Sequence, residues 1–173
     1  MSPERILVPV ELDRCSPEVF DLVSRRARRV KTEVILLHVL RLNIACPDNR
    51  LYDELEEEAE WRLEQLARIY LPSTASCLTR VRTGKALDEI VLMAKAEKAD
   101  WIVLQPDPPS LWTRLKARWG AAEVPVSCRL AERLFPRVSC GIVVVKAAEW
   151  LPFDRLCERV SRANPGRPQY AHS

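Results

Sequence analysis

Ala99-Asp100-Trp101-Ile102-Val103-Leu104, followed by Gln105-Pro106-Asp107-Pro108-Pro109, decides how this chain is read. From Trp101 the first segment is an apolar run without polar alternation, the pattern of a parallel strand covered on both faces. The second segment stands where a nucleotide-binding α/β protein carries glycines, whose bare backbone lets N–H groups approach a phosphate. Proline has no N–H to give, and it stiffens the loop into one path. The chain thus pairs the scaffold of an α/β nucleotide binder with a loop that lacks the phosphate grip.

Working outward, strands and helices alternate. Arg5 to Val10 is a short apolar run that reads as a first buried strand. Ser16-Pro17-Glu18 then supplies an N-cap, a first-turn proline and a first-turn acid. Val19, Leu22, Val23, Ala27 and Val30 follow at helical spacing. The basic cluster after them (Arg25, Arg26, Arg28, Arg29, Lys31) is read as complementing the helix dipole rather than as an anion patch. Glu33 to Leu40 is a second buried strand. A linker with Cys46-Pro47-Asp48-Asn49 leads to a helix from about residue 50 to 70, with Leu55, Ala59, Leu63, Leu66 and Tyr70 as its apolar stripe. Its glutamates (Glu54, Glu56, Glu57, Glu58, Glu60) spread around the helix, as a solvated face does and a metal site does not.

A third strand over about Ser76 to Arg82 alternates as an edge strand would. Gly84 turns the chain into a helix from about 86 to 98. A later helix carries Leu130, Ala131, Leu134 and Phe135, and Gly141 to Lys146 closes the sheet. Five strands alternating with four helices imply right-handed crossovers and a doubly wound, Rossmann-like α/β parallel sheet.

Composition narrows the function classes. At 173 residues and 19.8 kDa, one domain with a sizeable core is expected. A net charge of +3 argues for no nucleic-acid partner by itself. No apolar run approaches a membrane span and Met1-Ser2-Pro3-Glu4-Arg5 is no signal peptide, so a cytoplasmic location is expected. Six scattered cysteines without a C-x-x-C pair exclude a zinc site of the usual spacing and read as reduced thiols. His38, alone inside an apolar strand, reads as a hydrogen-bonded core residue, and no catalytic residue is assigned.

Ile6-Leu7-Val8-Pro9-Val10, Val34-Ile35-Leu36-Leu37-His38-Val39, Gly84-Lys85-Ala86-Leu87-Asp88-Glu89-Ile90, Ala99 to Leu104, Leu130-Ala131-Glu132-Arg133-Leu134 and Gly141 to Lys146 come in an order that resembles the universal stress protein family. The resemblance runs from about residue 4 to 147 and implies sheet order 3-2-1-4-5 with a ligand cleft between strands 1 and 4. Nucleotide-binding members place an aspartate after the first strand, where this chain has Glu11; the second-strand contact position is Val39. The phosphate motif G-x2-G-x9-G-[ST] falls on Gln105, Pro108, Cys128 and Arg129, without a glycine and with the wrong spacing. The resemblance therefore implies a member of the type that does not bind ATP, with no cofactor expected. It leaves Glu11, Asp13, Val39, Gln105 and Arg129 as candidate ligand-binding residues in a remodelled cleft.

Residues 1–147 are expected to form the family domain, interrupted by an insertion at about 106–126, with 148–173 as a C-terminal helix and disordered tail. In the insertion Trp112, Leu115 and Trp119 share one helical face beside Arg114 and Arg118. A lid over the cleft is preferred there to a membrane, nucleic-acid or acidic-protein contact. Cys15 and Cys128 precede helices at the same sheet edge, which makes a reactive or disulfide-forming pair one reading and two small core residues the preferred one. Ile142, Val143, Val144 and Val145 form an apolar edge strand, and the family commonly dimerises by joining last strands, so a homodimer through them is expected. Phe153, Leu156, Cys157 and Val160 mark a helix that either covers that edge or reaches a partner. Two functional classes stay open. One is a stress-response regulatory or interaction protein. The other is a nucleotide- or small-anion-binding protein with at most weak hydrolase activity.

Overall fold

The structure is a computed structural model that describes residues 2–41, 49–108, 128–147 and 149–163. The insertion tryptophans and the segment from Pro165 onward lie outside the described residues. The five strands are β1 (Glu4–Pro9), β2 (Thr32–Leu40), β3 (Ser76–Thr83), β4 (Trp101–Leu104) and β5 (Gly141–Val144). Helices α1 (Pro17–Ala27), α2 (Asn49–Tyr70), α3 (Ala86–Ala96) and α4 (Arg129–Leu134) connect them, and α5 (Phe153–Ala163) follows the last strand. All pairings are parallel in the order β3-β2-β1-β4-β5.

That order dictates the layers. Moving β1 to β2 to β3 steps in one direction, so right-handed crossovers lay α1 and α2 on one face. The chain then jumps back over β1 to β4 and steps the other way, which puts α3 and α4 on the opposite face. Strand parity follows suit. Ile6, Val8, Val34, Leu36 and Val103 pack under α1 and α2, while Leu7, Ile35, Leu37, Ile102 and Leu104 pack under α3 and α4. The central strands are buried on both sides, with Leu7, Ile35 and Leu37 inaccessible.

Several apolar positions end up wet. α2, with 22 residues, spans about 33 Å. Leu55, expected in its buried stripe, is exposed in the first turns of the helix. Phe135 lies just past the end of α4 and is 77% exposed. Trp101 opens β4 near the sheet edge and is also exposed; its ring lies against Gly141 of β5, where a Cβ would sit 2.3 Å from the indole. α3 ends on Lys98, at φ 50°, with Ala99 N–H bonded to the Ala94 carbonyl at 2.9 Å, a left-handed turn usually given to glycine.

α5 does not lie on the β5 edge. Phe153 and Leu156 are buried in the core shared by α1, α2 and the sheet, and the Phe153 ring meets Trp61 edge-on at 5.9 Å with the Arg62 guanidinium 5.5 Å from its centre. No helix among the described residues is long and apolar enough to cross a membrane.

Candidate functional site

Because β1 and β4 are adjacent yet leave in opposite directions, their connecting loops part at the C-terminal edge of the sheet and open a cleft. Its floor is apolar, with Leu37, Val39, Ala86, Ile90, Leu104 and Leu130; its rim carries Glu11, Arg14, His38, Arg41, Gln105 and Asp107. The free volume is about 120 Å³. Cavities of roughly 150 Å³ take a benzene-sized guest, and drug-sized ligands use about 300 Å³ or more.

The backbone of β2 contributes to the mouth. Leu37 offers its carbonyl to Val10 N–H on the β1 side, whereas Leu40 offers its own to Gly84 N–H beyond β3. By the two-residue repeat of a strand, Val39 turns its N–H and C=O to the β1 side, at a level where β1 has ended. His38 is held in place, its Nδ1 donating to the Val10 carbonyl at 2.8 Å. Arg14 pairs with Glu11 at 3.1 Å, so the two opposite charges on the rim partly neutralise each other.

Of the expected residues, Glu11, Val39 and Gln105 meet in this cleft. Asp13 is exposed and outside the lining, and the Arg129 side chain is exposed as well. Arg129 takes part through its backbone, donating N–H to Asp107 Oδ2 at 3.0 Å. At the same helix start the Cys128 sulfur accepts the Ala131 N–H at 3.4 Å. The opening donors of α4 are thus held by the chain's own groups. Gln105 also works structurally: its Oε1 accepts Ser16 N–H at 3.1 Å and its Nε2 donates to the Arg14 carbonyl at 2.8 Å, strapping the β1–α1 loop to the end of β4.

Arg14, Arg41 and Asp107 were not singled out for the cleft from the sequence. Asp107 stood in the quoted loop, but its partner lies 22 residues away. The one available signal was an acid shortly after a strand, which does not say which helix it will cap.

Cys15 and Cys128 are both buried, with free thiols. Cys15 packs in the core on the α1 face and Cys128 in the core on the α3 face, each as a small buried residue. Burial, aided by nearby Cys157, Asp13 and Glu11, pushes the Cys15 thiol up to about 12. Burial also raises Cys128, against the backbone N–H of Ala131, which favours the thiolate. The helix-start effect on thiols is real, but desolvation outweighs it at both positions.

At the end of the sheet order, Ile142, Val143 and Val144 are half-buried on β5, as is Val145 just beyond it, and among the described residues β5 pairs only with β4. Beside them Leu22, Trp101, Val103 and Val143 line an almost wholly apolar groove of about 250 Å³.

This chain is similar in structure to the universal stress protein from Archaeoglobus fulgidus, at 16% identity and a TM-score of 0.58 over 83% of this chain and 98% of that one. It is likewise similar to that organism's universal stress protein in complex with dAMP, at 17% identity and 0.54 over 84% and 100%. The universal stress protein UspA from Lactobacillus plantarum matches at 17% and 0.55 over 83% and 97%. Identities this low carry the fold alone. No curated protein sequence matches. The family model does more: residues 3–106, from β1 through β4 to Pro106 in the loop beyond, match the universal stress protein family. With more than half of its length matched, the chain belongs to the universal stress protein family.

Proposed function

We propose that this universal stress protein is of the type that does not bind ATP and acts in the cytoplasm as a regulatory or interaction protein, paired as a homodimer along β5. The observation that carries the first half is the start of α4. A phosphate bound there would need free backbone N–H groups, and Asp107 and Cys128 already accept the Arg129 and Ala131 N–H groups. The Asp107 carboxylate also places negative charge where a phosphate would add more. The small cleft supports the same reading. Calorimetry with Mg·ATP tests it: affinity no tighter than about millimolar is expected, and a micromolar Kd would overturn it.

The place of β5 at the end of the sheet order, the apolar groove beside it and the docking of α5 elsewhere support the pairing. An apolar strand edge left open is an invitation to another chain, and two-fold pairing closes it on itself. Val144→Lys should turn a dimer into a monomer in analytical ultracentrifugation. Wild-type protein that stays monomeric at tens of micromolar would refute the interface.

A second reading keeps a small ligand in the cleft. Val39 turns an N–H and a C=O toward the mouth over an apolar floor, with Arg14 and Arg41 at the rim. The A. fulgidus relative solved with dAMP lends this weight. Nucleoside or small-anion binding seen by native mass spectrometry of freshly purified protein, without ATP, would favour it.

A further inference from the structure

The C-terminal segment touches the cleft from behind. Leu151 and Cys15 exchange both backbone hydrogen bonds, at 2.6 and 2.8 Å, as an isolated antiparallel bridge. Two residues on, Phe153 N–H reaches the Leu12 carbonyl at 3.0 Å. One residue before the bridge, Trp150 Nε1 donates to the Pro106 carbonyl at 3.4 Å. Three residues of the stretch 150–153 therefore hold the β1–α1 loop and the loop after β4. Those loops carry Glu11, Arg14, Gln105 and Pro106, which form one side of the cleft.

The clip is anchored by α5. Phe153 is 3% exposed and Leu156 is inaccessible, seated in the core next to Leu63 and Leu66 of α2. Glu149 and Arg159 pair across the turn that leads into the helix. A short bridge of a few hydrogen bonds would fray in water by itself, because each contributes little net stability. Buried apolar anchors at its end keep it in place.

We propose that the Trp150–Phe153 segment is a latch, and that docking of α5 and the shape of the cleft are one coupled equilibrium. When α5 lifts, Cys15, Leu12 and Pro106 lose their partners together, and the Gln105 strap is left as the remaining tie between the two loops. Coupling of this kind is reciprocal: whatever binds the latched rim better also favours docked α5, and whatever binds the α5 face in place of the helix loosens the rim. The cleft is thereby linked to a surface on the α1–α2 layer, on the other side of the sheet from its apolar floor. The latch rests on the functional reading of the cleft only for its consequence, since the coupling itself is measurable without a ligand.

The test is residue-resolved amide exchange by NMR on the full chain, wild type against Leu156→Ala. The informative amides are Arg14, bonded to the Glu11 carbonyl, and Ser16, bonded to Gln105 Oε1. Neither amide bonds to residues 150–163, so a purely local loosening of the helix would leave both unchanged. A rise of about tenfold or more in exchange at Arg14 and Ser16, with Leu36 and Leu37 in β2 unchanged, is expected. Faster exchange confined to residues 150–163 would overturn the latch. Should Leu156→Ala fail to fold, Leu151→Pro leaves the anchors of α5 in place, removes the N–H that bonds the Cys15 carbonyl and restricts Trp150 before it. It should produce the same selective rise at Arg14 and Ser16, and unchanged amides there would equally refute the proposal. Calorimetry failing to support the cleft as a site would leave this result standing, so the two ideas fail separately.

Discussion

Replacing Asp107 with Ala should weaken the fold slightly and strengthen phosphate binding, a combination that few surface changes produce. The carboxylate accepts the Arg129 N–H at 3.0 Å, so it caps a helix whose own Cys128 side chain accepts the Ala131 N–H. Loss of such a cap costs about 1 kcal/mol, which for a chain of this length lowers Tm by roughly 2–4 °C. The same change frees a backbone donor and removes a negative charge beside it. A hydrogen bond to a charged acceptor is worth about 1.5–3 kcal/mol, so inorganic phosphate or Mg·ATP should bind about tenfold tighter or better than to wild type. Differential scanning fluorimetry reads the first effect, and calorimetry or phosphorus NMR titration reads the second. Asp107→Asn keeps an acceptor oxygen while discarding the charge, so it should retain most of the stability and still gain affinity. The reasoning fails if Asp107→Ala loses stability yet gains no phosphate affinity, because the cap would then not be standing in for an anion.

Three other consequences are open to direct measurement. Lys98→Gly should raise stability by about 0.5–1 kcal/mol in urea unfolding, because glycine occupies the left-handed turn after α3 without strain; a loss of stability would mean the lysine side chain outweighs its backbone. Gly141→Ala should cost about 1–3 kcal/mol and move Trp101, since the new methyl would overlap the indole; an unchanged unfolding curve would show that the ring swings clear freely. Cys15 should resist alkylation in the native protein at pH 8 and react only on unfolding, because its thiol, raised to about 12, stays protonated. The sign follows from linkage: a thiol whose folded value is raised stabilises the native state below the unfolded value of about 8.5–9, and that contribution disappears as pH climbs toward 12. Rapid native labelling of Cys15 would contradict its burial.

The sheet was legible because parallel strands covered on both faces must be continuous apolar runs, and handed crossovers leave little choice once their order is known. Runs such as Val34 to Leu37 and Ile102 to Leu104 carry that information locally. What periodicity does not carry is where an element stops relative to its neighbours. Leu55 has the right phase on α2 and still faces water. Phe135 and Trp101 have the right residue type but stand just past a helix end and at the first position of a strand. The site was legible only where one residue's chain position fixes its place, as for Glu11, Val39 and Gln105 at the ends of strands 1, 2 and 4. Its decisive contacts join residues far apart in sequence: Asp107 to Arg129, Trp150 to Pro106, Leu151 to Cys15. Pairings of that kind depend on which loops the finished sheet brings side by side. The same logic seats Cys15 and Cys128 in different halves of the core. Both precede helices, yet α1 and α4 belong to crossovers that step in opposite directions, and the sheet necessarily comes between the helices they begin. Pro106 and Pro108 after β4 bring no amide donor to the cleft they line. Asp107, sitting between those prolines, gives the first N–H of α4 a partner from within the chain.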